Sequence, residues 1–197
     1  MRENLLASPA IWGALSKTGI DCYQALVEHW ANGLGVAIAF VVESLDPHGD
    51  RVCPVASWGA AAFRDGQCFD TLGTPCERLR RGAPGLYAER LAEHFPDDAW
   101  IARSGMQSYV GLPLLDSAGR VLGEIGVLDD KPLPDPREVA ALLEAFVPRC
   151  AAEMLRARRD LAFHRLVDGT PWALYRATPP QFASDILTLG GESFLGF

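Results

Sequence analysis

Residues 108–128 read Ser108-Tyr109-Val110-Gly111-Leu112-Pro113-Leu114-Leu115-Asp116-Ser117-Ala118-Gly119-Arg120-Val121-Leu122-Gly123-Glu124-Ile125-Gly126-Val127-Leu128. Two strand-forming runs, 108–115 and 120–128, flank the turn Asp116-Ser117-Ala118-Gly119, which predicts a β-hairpin. Downstream, Asp135-Pro136-Arg137-Glu138 spells a helix start: a capping side chain, a proline at the first helical position, and an acid in the first turn. Val139, Leu143, Phe146, Cys150, Met154, Ala157 and Leu161 then step by threes and fours along one stripe. Pro148 falls within this helix, where its missing N–H predicts a kink or a restart.

Upstream of the hairpin, residues 82–106 form a long crossover. It holds a minor strand at 86–87 and short helical pieces at 88–95 and 97–103, separated by Pro96. Before it comes Phe69-Asp70-Thr71-Leu72-Gly73-Thr74-Pro75-Cys76-Glu77-Arg78-Leu79. Here a strand at 68–72 stops at a glycine, and Thr74, Pro75 and Glu77 open a helix over 74–81. Residues 59–66 read as a Gly/Ala-rich loop. Earlier still, strands at 36–43 and 51–58 flank the turn Asp46-Pro47-His48-Gly49-Asp50 and form another hairpin. The first of these is apolar on both faces and should be central. Helices starting at Ser8-Pro9 and at Asp21 precede it, the second ended by Gly33 and Gly35. Successive hairpins with flanking helices predict a mainly antiparallel sheet with helices on one side, an α+β class.

The 197 residues carry a formal net charge of −7. That balance argues against nonspecific nucleic-acid binding and against adhesion to an anionic membrane. No apolar run approaches the ~20 residues of a spanning helix. Met1-Arg2-Glu3-Asn4 leads into no signal-peptide core, so a cytoplasmic location is expected. The five cysteines, Cys22, Cys53, Cys68, Cys76 and Cys150, are odd in number and contain no CxxC pair. Buried thiols are expected, rather than a disulfide scaffold or a zinc knuckle.

Over roughly residues 20–160 the chain resembles a GAF domain. The resemblance rests on Gly33-Leu34-Gly35-Val36-Ala37, on the junction from Phe69 to Cys76, and above all on the paired stretches 108–114 and 119–128. It implies a PAS-related, six-stranded antiparallel sheet with helices packed on one face. The crossover folds over the other face and leaves a pocket there. It also implies a module that binds small molecules or chromophores, or simply dimerises, usually within bacterial signalling proteins. No kinase, cyclase or DNA-binding pattern follows, so the output is expected in a separate signalling protein.

The candidate pocket residues are Phe69, Cys76, Tyr87, Phe95, Trp100 and Tyr109. Aromatic rings with polar tips suit an organic ligand in an apolar cleft, and ordinary core packing is the plain alternative. Cys76, in the first turn of its helix, is the sharpest thiol, because a helix N-terminus favours thiolate. Filling a gap at the junction is its ordinary role. No catalytic residue and no metal site is assigned: the four histidines lack ligand spacing, and Asp97-Asp98 and Asp129-Asp130 read as caps or turns.

Two segments are expected: a domain over 1–165 and an apolar tail over 166–197. The tail contains Trp172, Tyr175, Phe182, Phe194 and Phe197, and Thr178-Pro179-Pro180-Gln181 suggests a further helix start. Docking of this tail on its own domain or on a second copy is expected. The functional expectation is a non-catalytic sensory or regulatory module. A small organic ligand of unknown identity, with no known cofactor, would bind between sheet and crossover. The signal would pass through the terminal helices of a homodimer. The alternatives are a thiol enzyme of the free-methionine-sulfoxide-reductase type, with Cys68 resolving Cys76, and a pure dimerisation module with a filled pocket.

Overall fold

The computed structural model describes residues 9–59, 63–168, 174–175 and 186–187. The chain divides into two compact units, Met1–Leu155 and Arg156–Phe197.

The first unit is built on a six-stranded sheet. Its strands are β1 (Ile38–Ser44), β2 (Arg51–Gly59), β3 (Phe69–Asp70), β4 (Gly85–Tyr87), β5 (Ser108–Leu115) and β6 (Val121–Asp129). They lie in the order β3-β2-β1-β6-β5-β4, and every neighbouring pair is antiparallel. β1, β5 and β6 are almost wholly buried, because both faces of the sheet are covered. The α+β antiparallel architecture expected from the two hairpins is the one observed.

Helices α1 (Pro9–Leu15), α2 (Gly19–Leu34), α5 (Pro136–Glu144) and the start of α6 (Val147–Asp168) supply one face. There Leu26, Val27 and Trp30 meet Val41, Leu112, Ile125, Leu143, Phe146 and Met154 in one cluster. The other face is covered by the segment between β3 and β5, including a 3-10 helix (Pro75–Arg81), α3 (Leu91–His94) and α4 (Ala99–Ser104). Ile38, Phe40, Val42, Leu79, Leu91, Ile101 and Leu128 form the second cluster beneath it.

Several boundaries differ from the sequence reading for identifiable reasons. α2 begins at Gly19, ahead of Asp21, and its N-cap Thr18 makes no side-chain capping bond. Glu153 supplies the acceptor instead: its Oε2 takes the Gly19 N–H at 2.7 Å. A distant carboxylate thus satisfies a helix-start N–H that a local cap ordinarily takes. The segment after Thr74 is a 3-10 helix rather than an α-helix. Thr74 caps it by accepting the Cys76 N–H, while Glu77 accepts from Gly73 rather than closing a box on Thr74. At Pro148 the expected break is present: α5 ends at Glu144, and α6 restarts at Val147 with the proline in its first turn.

The cysteine expectation is corrected. Cys53 on β2 and Cys68, just ahead of β3, form a disulfide with Cα atoms 4.1 Å apart. They extend the β2–β3 register, in which Arg51 faces Asp70 and Val52 faces Phe69, by one more pair. Strand pairing brought them together, and sequence spacing alone does not reveal it. Cys22, Cys76 and Cys150 are the buried thiols that were expected.

In the second unit, β7 (Leu174–Tyr175) pairs antiparallel with β8 (Ile186–Leu187). The helix start expected at Thr178 and the docking expected of the tail's aromatic residues lie outside the described residues. No described helix is long and apolar enough to cross a membrane.

Candidate functional site

The floor of the site is set by two facing glycines. Gly111 on β5 is directly opposite Gly126 on β6. A side chain at Gly126 would run into the Phe40 ring, 2.6 Å from where its Cβ would stand. At Gly111 it would strike the Tyr109 hydroxyl and a Glu124 carboxylate oxygen. The glycines let two rings lie flat over the strands, with Phe40 and Tyr109 centroids 6.0 Å apart. Gly85 on β4 extends the hollow, since its Cβ would stand 2.9 Å from the Tyr109 ring.

All six candidate residues are on this crossover face. Cys76, Phe95 and Tyr109 are buried in the second core cluster, and Phe69, Tyr87 and Trp100 pack against it. Tyr87 meets Phe95 edge-on at 5.0 Å and stands 6.1 Å from Tyr109. α4 positions Trp100 through its cap, in which Asp98 accepts the Trp100 and Ile101 N–H groups. Phe69 is held edge-on to Phe63, which itself stacks on Phe40 at 4.7 Å and meets Trp100 at 5.7 Å.

Two residues central to this arrangement escaped the sequence reading. Phe63 comes from the segment read only as a Gly/Ala-rich loop. Glu124 is fully buried on β6, opposite Val42 and Pro113. Its Oε1 accepts a 2.7 Å hydrogen bond from the Tyr109 hydroxyl, which also lies 3.4 Å from Cys76 Sγ. Its Oε2 is buried with no hydrogen-bond partner of acceptable geometry among the described residues. Burial pushes the Glu124 carboxyl up to about 7, against the hydrogen bonds from Tyr109 and Cys76 that pull it down. Burial, followed by the neighbouring Cys76 and Glu124, likewise holds the Tyr109 phenol well above its ordinary range, so Tyr109 stays a donor. The available signal was a single acid in a run that is otherwise apolar or glycine on both strand faces.

Phe63, Pro75, Cys76, Trp100, Ile101, Tyr109 and Leu128 surround a cavity of about 10 Å3, space for one water at most. A cleft of about 200 Å3 lies just outside, walled by Glu77, Arg78, Arg81 and Tyr87. Tyr87 belongs to both, forming part of the cleft wall and packing on the buried cluster. On the helix side, a groove of about 260 Å3 runs between Pro84, Leu112, Pro113, Glu144, Val147 and Pro148.

The thiol pair considered from sequence is not present. Cys68 is bonded to Cys53, while Cys76 points to Tyr109 on the crossover face.

A family model of the GAF domain matches residues 19–154. No curated protein matches the chain by sequence. Among solved structures, the chain is similar to the GAF domain of an Acinetobacter phosphoenolpyruvate-protein phosphotransferase. There the TM-score is 0.64 at 16% identity, over 81% of this chain and 96% of that one. It is also similar to the A. aeolicus NLH2 GAF domain in an inactive state, with a TM-score of 0.60 at 16% identity over 80% and 96%. The free methionine-R-sulfoxide reductase of Neisseria meningitidis, in complex with its substrate, gives 0.61 at 14% identity over 77% and 87%. At such identities these likenesses concern the fold.

Proposed function

Because this chain belongs to the GAF domain family, we propose that it is a sensory or regulatory module of bacterial signal transduction, acting without catalysis. A small organic ligand binds between the sheet and the crossover of residues 82–106, lined by Phe69, Cys76, Tyr87, Phe95, Trp100 and Tyr109. Its differential affinity for two arrangements of the crossover is what shifts the module's state.

One observation carries this reading. Glu124, Tyr109 and Cys76 form a buried, hydrogen-bonded polar cluster among aromatic rings, and one Glu124 carboxylate oxygen has no hydrogen-bond partner among the described residues. A buried carboxyl without a cation is expensive, and an apolar side chain would fill the space more cheaply. Local rules broken at a cost are characteristic of sites kept for function.

The signal is proposed to leave through the terminal helices of a homodimer to a separate output protein. Trp12 on α1 and Ile20 on α2 are large exposed apolar side chains, and so are Leu161 and Phe163 on α6. The small size of the cavity between Phe63, Trp100 and Tyr109 favours a second reading, a dimerisation module whose pocket is occupied by its own side chains. A thermal-shift screen of the full chain against metabolites, nucleotides and tetrapyrroles separates the two. The sensing reading expects stabilising compounds whose effect is lost in Tyr109→Phe or Trp100→Ala. A screen that yields no stabilising compound, or only compounds whose effect survives both substitutions, would favour the filled-pocket module.

A further inference from the structure

The cleft outside the packed interior has a charge character that the protein as a whole lacks. In a 3-10 helix, residues three apart eclipse one another, so Arg78 and Arg81 project from the same side of the Pro75–Arg81 helix. Both line the cleft of about 200 Å3 together with Tyr87 and Glu77. Arg80, on another side of the helix, is paired with Asp50 at 2.8 Å. Neither Arg78 nor Arg81 has a carboxylate partner among the described residues, in a chain whose formal net charge is −7. Glu77 directs its Oε2 to the Gly73 N–H at 3.3 Å, at the start of the helix. The helix C-terminus favours basic residues, which accounts for their presence in the last turn. It does not account for two arginines and a tyrosine lining one cleft.

We propose that Arg78, Arg81 and Tyr87 form an anion-binding mouth to the site, so that the ligand carries a carboxylate or a phosphate. This rests on the sensing reading for the position of the ligand's organic body, but not for the anion contact itself. Two guanidinium forks match the paired oxygens of either group, and the Tyr87 hydroxyl adds a third donor. The same tyrosine ring borders Phe95 and Tyr109, so a ligand anchored at the arginines has its apolar part directed toward the aromatic cluster. The negative net charge discourages nonspecific capture of anions elsewhere, which makes a paired-arginine cleft selective.

The test is calorimetric titration of the full chain at low ionic strength with four probes: inorganic phosphate, phenyl phosphate, benzoate and benzyl alcohol. Inorganic phosphate and at least one aromatic anion are expected to bind. The double substitution Arg78→Gln/Arg81→Gln should weaken each by about tenfold or more, as expected for lost charge-assisted contacts. Arg80→Gln, which removes a charge outside the cleft, should change affinity by less than about threefold. All three arginines are exposed, so the substitutions should leave the fold intact, which unchanged circular dichroism and melting checks. The tighter of phenyl phosphate and benzoate identifies the anionic group. Anions that fail to bind, that bind the double variant equally well, or that are weakened as much by Arg80→Gln would overturn the proposal. Benzyl alcohol binding without regard to the arginines, while the anions fail, would leave the sensing reading standing and remove the anion mouth. Phenyl phosphate binding no tighter than inorganic phosphate, through the arginines, would keep the mouth and count against an organic body inside.

Discussion

At the residue scale the account turns on Glu124. Its carboxyl is raised from 4.5 to about 7 by burial, so between those values the folded protein holds a proton that the unfolded chain has released. Folding stability due to this group is therefore greatest below about pH 4.5 and falls as pH rises to about 7. It then stays lower, by about 3 kcal/mol. Glu124→Gln keeps an acceptor for Tyr109 but cannot ionise. Urea denaturation across this range should show the downward slope in the wild type and a flattened one in the variant. Equal slopes in both would mean that Glu124 is not the group responsible. The sequence did not single this residue out, because a lone glutamate in a strand ordinarily faces water. Only the sheet register and the glycine at position 111 show that it faces Tyr109 instead.

At the element scale, the disulfide between Cys53 and Cys68 ties the edge of β2 to β3 and closes the loop that carries Phe63. Removing it with Cys53→Ser/Cys68→Ser should cost about 3 kcal/mol in the loop-entropy view. The chemical-denaturation midpoint should fall, and reductant should lower the wild type to the level of the variant while leaving the variant unchanged. A reductant effect of equal size in the variant would place the sensitivity elsewhere. Elements whose signals are local were legible in the sequence: the two hairpins, the Asp98 and Asp135 caps, and the restart at Pro148. Features set by distant partners were not. The start of α2 depends on Glu153, the disulfide depends on strand pairing, and the contribution of Phe63 depends on where its loop folds. The five aromatic candidates and Cys76 share one face because side chains flanking a crossover over a sheet converge there.

At the scale of the whole molecule, the proposed homodimer makes a simple demand. Trp12, 69% exposed on α1, is the side chain that the proposed dimer would cover. Trp12→Glu should shift sedimentation from dimer to monomer while the circular dichroism spectrum stays unchanged. A wild-type chain that sediments as a monomer at all concentrations would remove the dimer relay and leave the fold untouched.

The central claim is that a small molecule enters the space beneath the crossover, now packed by Phe63, Trp100 and Tyr109. Fluorine NMR of fluorotryptophan-labelled full-length protein observes that space through Trp100, with Trp100→Phe assigning its signal. A compound that stabilises the protein in the thermal screen should move the Trp100 resonance and leave that of Trp58, exposed on β2, in place. Stabilising compounds that leave Trp100 unmoved would contradict the account.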